Sequence, residues 1–144
     1  MGLSGNWQFW ALLSAGFAAL TAIFAKVGIE WIDSNYATFI RTLVILAMIS
    51  LFLAISGKWQ NPSVLPGRAW LFLILSGIAT GLSWLAYFRA LQLGDAARVA
   101  PIDKLSIVLV AIFGVVFLHE KLGWANWLGV AMIAGGAVLL SVRI

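Results

Sequence analysis

The chain has 144 residues, 63% of them hydrophobic and only 10% charged, with a net charge of +4 and a mean hydropathy of +1.05. A soluble domain of this size is roughly half apolar and a quarter charged, so the composition specifies an integral membrane protein with no room for a soluble domain beside its spans. The basic residues are scattered singly, which argues against nucleic acid as a partner, and the lack of cysteine removes disulfides, thiolate catalysis and cysteine–metal sites.

A membrane-spanning helix needs about 20 mostly apolar residues. Five segments meet that requirement, roughly 7–29, 35–56, 70–92, 96–118 and 124–142, and predict an all-α fold of five transmembrane helices. Ahead of the first span, Met1 to Asn6 carries no basic region and no small-residue cleavage site. The first apolar stretch therefore reads as a span and not a signal peptide. Ala11, Ala15, Ala18, Ala19 and Ala22 share one helical face with Lys26. Small residues at that spacing let helices approach closely in lipid, which points Lys26 into the bundle. A lysine in a last turn can equally snorkel to the headgroups.

Ser34 or Asn35 is placed to cap the second span. Arg41 follows about five residues in, on the face of Thr38, Val44, Ile45 and Met48, with a pocket role and snorkelling evenly balanced. The only real loop runs from Ser56 to Arg68. The third span carries Ser76, Thr80, Ser83 and Tyr87 on one face, with Trp84 beside them and Gly77 and Gly81 on a neighbouring face. Such hydroxyls either line a substrate path or make interhelical hydrogen bonds of about 1 kcal/mol each. Arg89 projects nearly opposite to Tyr87 and reads as an interfacial anchor.

The fourth span holds the most unusual stretch, Arg98-Val-Ala-Pro-Ile-Asp-Lys-Leu-Ser106, continuous with an apolar run to Leu118. Pro101 removes one backbone donor and is expected to kink the helix by loosening the turn before it. Asp103 and Lys104 lie on the order of 10 Å into the span. Charges at that depth survive only beside a partner or a water-filled cavity. As neighbours about 100° apart they are poorly placed to pair with each other, so Asp103 is expected to seek Arg41, Lys26 or a Lys104 elsewhere. A structural ion-pair staple is the competing reading. His119-Glu120-Lys121 forms a tight turn, with Glu120 fixing the turn or a helix end. The fifth span, with Gly129, Ala131, Gly135 and Gly136, is suited to packing on another helix or subunit.

Tryptophans gather near the span ends as an interfacial belt requires, and Trp84 alone sits inside a span. With the in-span bases Lys26, Arg41, Arg89 and Lys104 set aside, three loop bases (Lys58, Arg68, Lys121) face two (Arg98, Arg143). That near-balance predicts insertion in both orientations. Lys26, Arg41 and Lys104 outnumber Asp103 within the spans, which predicts cargo with an anionic or zwitterionic group. Paired acids, a hydrolase elbow, a phosphate loop and a metal-ligand cluster are all missing, so neither an enzyme nor a metal or other cofactor is expected.

On these residues the chain resembles an EamA-type unit of the drug/metabolite transporter superfamily, in its short five-span bacterial and archaeal branch. The matching stretches are Arg41-Thr-Leu, Gly77 to Gly81 with Ser83-Trp84 and Tyr87-Phe-Arg-Ala-Leu91, Ala97 to Ser106, and Leu118 to Leu122 leading to Trp127-Leu-Gly129 and Gly135-Gly136. They cover nearly the whole of residues 1–144 as a single domain. His119 departs from the pattern, standing where such units often carry glycine. Larger relatives join two five-span halves in inverted orientation, so the resemblance implies one half of a ten-helix inverted-repeat transporter. It further implies an antiparallel homodimer in a prokaryotic plasma membrane, moving small-molecule cargo by alternating access. Lys26, Arg41 and Lys104 would hold anionic parts of that cargo, Asp103 would be the responsive carboxylate, and Thr80, Ser83, Trp84 and Tyr87 would line its path. The rival readings are a non-transporting membrane subunit or scaffold, and a lipid-carrier flippase with a pocket open sideways to lipid.

Overall fold

The computed structural model describes residues 6–142. Met1 to Gly5 and Arg143, both used in the reading above, lie outside them. Among the described residues, five spans are long and apolar enough to cross a membrane. They are built from six helices: α1 (Trp7–Gly28), α2 (Ser34–Ser56), α3 (Gly67–Leu93), α4 (Ala96–Asp103), α5 (Ser106–Phe117) and α6 (Trp124–Ser141). Helices α4 and α5 share the fourth span. Nearly all large apolar side chains face outward. In lipid such residues gain nothing by hiding from a solvent as apolar as themselves.

The chain divides into two compact units. The first, Ala25–Gln92, holds the end of α1, all of α2 and nearly all of α3. Its α2 is capped by Asp33, one residue ahead of the two expected caps: Asp33 Oδ1 accepts from the Asn35 amide at 2.8 Å and the Tyr36 amide at 3.3 Å. Ser34 is instead buried, 1% exposed, in a small core with Ile29, Ala37, Thr38, Phe88 and Leu91. A carboxylate at a helix start also meets the positive end of the dipole, which favours Asp33 over the serine. The far end of α2 closes on Gly57 at φ 63°. Its amide bonds to the Ala54 carbonyl and the Lys58 amide to that of Leu53, the Schellman pairing for which a left-handed glycine is suited. In the loop that follows, Asn61 caps a short 3-10 turn over Pro62–Val64.

The second unit runs through α1 as far as Phe24 and resumes from Leu93. Within it α6 packs along both α4 and α5. Ala22 alone of the alanine face on α1 is buried, and Ala137 is buried on α6. The fourth span is interrupted, and the irregular turn follows Pro101 instead of preceding it. The Lys104 amide reaches the Pro101 carbonyl at 3.1 Å, Leu105 that of Ile102 at 3.0 Å, Ile107 that of Lys104 at 3.0 Å and Val108 that of Leu105 at 3.0 Å. These bonds span three residues where an α-helix spans four, so the chain tightens into a 3-10 turn. The break thus falls after the proline, not in the turn before it.

Beyond α5, His119 adopts φ 56° and the Glu120 amide reaches back to the Gly114 carbonyl at 3.0 Å. The Glu120 carboxylate lies over Gly114, where an added Cβ would stand 2.7 Å from its Oε2. The Glu120 backbone amide thus closes the C-terminal end of α5.

Candidate functional site

The side chains singled out from the sequence fall into three local arrangements. The first joins α2 to α3. Arg41 is half-buried, and its guanidinium carbon lies 4.3 Å from the centre of the Trp84 ring and 5.3 Å from that of Phe88. The positive charge rests against two negative ring faces, a contact of about 0.5–2 kcal/mol depending on desolvation. Arg41 therefore points at the neighbouring helix. The Tyr87 ring packs edge-on to Phe88 with centroids 6.4 Å apart.

The same two helices enclose an open groove of about 580 Å³. Thr38 and Thr42 line it from α2, Ser76, Thr80 and Trp84 from α3, and Asn35 belongs to its end nearest the α1–α2 turn. Gly77 and Gly81 also line it, and a Cβ at either would meet nothing within 4 Å. Their absent side chains leave the groove its width. Of the expected residues, Thr80 and Trp84 are lining groups, whereas Ser83 is exposed and outside the lining. Asn35, Thr42 and Phe88 were missed as site residues. The Asn35–Thr38–Thr42 spacing on one face of α2 was a signal that could have found the first two.

The second arrangement joins the end of α1 to the end of α3. Lys26 Nζ donates to the Leu91 carbonyl at 2.8 Å. Leu91 stands in the last turn of α3, where helix carbonyls lack intrahelical partners and a cation is favoured. Lys26 thus points inward. Nearby, Gln92 Nε2 donates to the Ile32 carbonyl at 3.3 Å while its Oε1 accepts from Arg89 at 2.7 Å. Arg89 itself is exposed.

The third arrangement sits at the break between α4 and α5. Lys104 Nζ and Asp103 Oδ2 are 3.0 Å apart, against the expectation that neighbours would not pair. The four-carbon lysine stem is long and flexible enough to fold back on the adjacent carboxylate, so the angular offset of the two Cβ atoms does not decide the contact. The pair is half-open, with the Lys104 side chain 53% exposed and that of Asp103 33%. Lys26 and Arg41 each take partners within their own unit.

The described residues thus hold a half-buried arginine on an aromatic pair, a hydroxyl-lined groove and an ion pair at the break of a span. Residues 5–142 match the EamA-like transporter family. The chain belongs to that family. It is 71% identical over 140 residues to the "uncharacterized transporter in cobO 3′ region" of Sinorhizobium sp., covering 97% of this chain and 99% of that one. It is 29% identical over 87 residues to the probable 4-amino-4-deoxy-L-arabinose-phosphoundecaprenol flippase subunit ArnE of Proteus mirabilis, covering 60% of this chain and 77% of that one. Against the uncharacterized transporter YvbV of Bacillus subtilis it is 28% identical, and 92% of this chain spans only 44% of that protein. No solved structure matches the chain. This EamA-family protein is a multi-pass membrane transporter.

Proposed function

We propose that the protein is a secondary transporter of small molecules that works by alternating access as an antiparallel homodimer in a prokaryotic plasma membrane, with no enzymatic step. The observation that carries this reading is Arg41, a fixed positive charge inside a span, held on Trp84 and Phe88. An in-span arginine aimed at a neighbouring helix is costly unless a ligand or cavity uses it, and it favours cargo with an anionic or zwitterionic group. Asp103, at the break of the fourth span, is the proposed responsive carboxylate. The dimer is supported by the twofold length of YvbV relative to the matched region and by the near-even loop charges. Two copies of a five-span unit supply the spans that one longer chain supplies alone.

The test is flux into vesicles holding purified protein. Uptake of an anionic or zwitterionic amino acid or metabolite, saturable and lost in Arg41→Gln at unchanged protein level, supports the reading. A screen that moves lipophilic cations alone, with Arg41→Gln unaffected, refutes the cargo assignment.

A second reading is transfer of a lipid-linked molecule between leaflets. The open α2–α3 groove favours it, as does the partial likeness to a protein named as a flippase subunit. Movement of a fluorescent polyprenyl-phosphate lipid between leaflets, without flux of soluble solutes, would select it.

A further inference from the structure

The α2–α3 groove is lined by four hydroxyl side chains and no carboxylate. Three of the four hydroxyl hydrogens are already directed at backbone. Thr38 donates to the Ser34 carbonyl at 2.8 Å, Thr42 to that of Thr38 at 2.8 Å, and Thr80 to that of Ser76 at 2.9 Å. A hydroxyl has one hydrogen and two lone pairs, so what these three oxygens have left to offer is acceptor capacity. Threonines inside helices often bond back in this way. What distinguishes these is that all three residues line one groove of about 580 Å³, Thr38 buried and Thr42 and Thr80 exposed, a size that takes a drug-sized group.

The charges around the groove narrow its occupant. Arg41 rests on Trp84, which is itself a lining residue, so a cation entering the groove approaches a fixed positive charge. An anion would set its own lone pairs against those of the threonines. A neutral group that donates hydrogen bonds meets neither penalty. Phe39, Leu73 and Leu85 give the rest of the lining an apolar character.

We propose that this groove binds the neutral, hydroxyl-bearing part of an amphipathic ligand through the acceptor oxygens of Thr42 and Thr80. The inference rests on the transport reading only in taking that ligand as cargo, any anionic group of which is left to Arg41. Equilibrium binding tests it without flux, so its failure and the failure of transport are separable.

Three probes with the same eight-carbon tail separate the head groups: octyl glucoside, octyltrimethylammonium and octyl phosphate. Titrated into wild-type protein in lipid nanodiscs, octyl glucoside should bind at least tenfold more tightly than octyltrimethylammonium, and Arg41→Gln should weaken octyl phosphate while leaving octyl glucoside unchanged. Thr80→Val keeps volume at an exposed position and removes one acceptor. It should weaken octyl glucoside about tenfold, and Thr80→Ser, which restores the oxygen, should recover the affinity. Thr42→Val should act in the same direction. Equal binding of the three probes means that the tail alone is recognised and overturns the proposal. Unchanged octyl glucoside affinity in both valine variants overturns it equally.

Discussion

The Arg41 guanidinium carbon lies 4.3 Å from the centre of the Trp84 ring, so the in-span charge of α2 is held by an aromatic side chain of α3. Neither partner is a carboxylate. The contact offsets part of the cost of an in-span charge and leaves the donors of the guanidinium fork to other acceptors.

This arrangement predicts that Arg41→Lys is not conservative. An ammonium is a compact, strongly hydrated charge that does not stack as a planar guanidinium does. The change should lower thermal stability in detergent by about 1 kcal/mol. In a double-mutant cycle with Trp84→Leu, a coupling of about 0.5–2 kcal/mol is expected. Additive effects would show that the contact contributes nothing.

Asp103→Asn should abolish or uncouple transport while leaving the protein folded. The amide keeps the shape and loses the charge that meets Lys104 at 3.0 Å. A half-open ion pair contributes at most about 1 kcal/mol, so the melting temperature should move little. If stability falls sharply and flux per folded molecule stays intact, Asp103 is a staple.

Reporter fusions at the C-terminus, or cysteine labelling in the Ser56–Arg68 loop, should report both sides of the membrane. Two lysines added to one loop should then fix a single topology. A single orientation in the unaltered chain rules out the antiparallel dimer.

His119→Gly should stabilise the protein by about 0.5–1 kcal/mol. His119 stands at φ 56°, where an L side chain is strained and glycine is not. Part of the gain is offset by the greater freedom of glycine in the unfolded chain. His119→Val, β-branched at the same φ, should destabilise by more than about 1 kcal/mol. Chemical or thermal melts of the two variants should therefore move in opposite directions.

Much of the fold was legible in the chain itself. The five spans follow from apolar length, because a lipid environment forces every backbone polar group into a helix. The turns follow from local chemistry such as that of Gly57, whose left-handed φ closes α2. The cap of α2 was misplaced by one residue, since an Asp-Ser-Asn run offers three side chains and only packing decides which is buried: Ser34 went inward and Asp33 kept the cap. Pro101 marked the fourth span as irregular, yet the position of the break depends on which carbonyls the Lys104 and Leu105 amides reach.

The candidate site was legible as a set of residues and not as a set of contacts. The sequence by itself placed Lys26, Arg41, Asp103 and Lys104 within spanning segments, because span boundaries are a matter of composition. It left Lys26 and Arg41 balanced between snorkelling and turning inward, since both outcomes suit a long side chain near a helix end. Tertiary structure decided these: Leu91 of α3 presents a last-turn carbonyl to Lys26, and Trp84 and Phe88 present ring faces to Arg41. Those partners are 65 and 43 or more residues away along the chain. No periodicity within one helix specifies which groups of another helix it will face, and that pairing is what turned scattered charges into a groove with one arginine beside it.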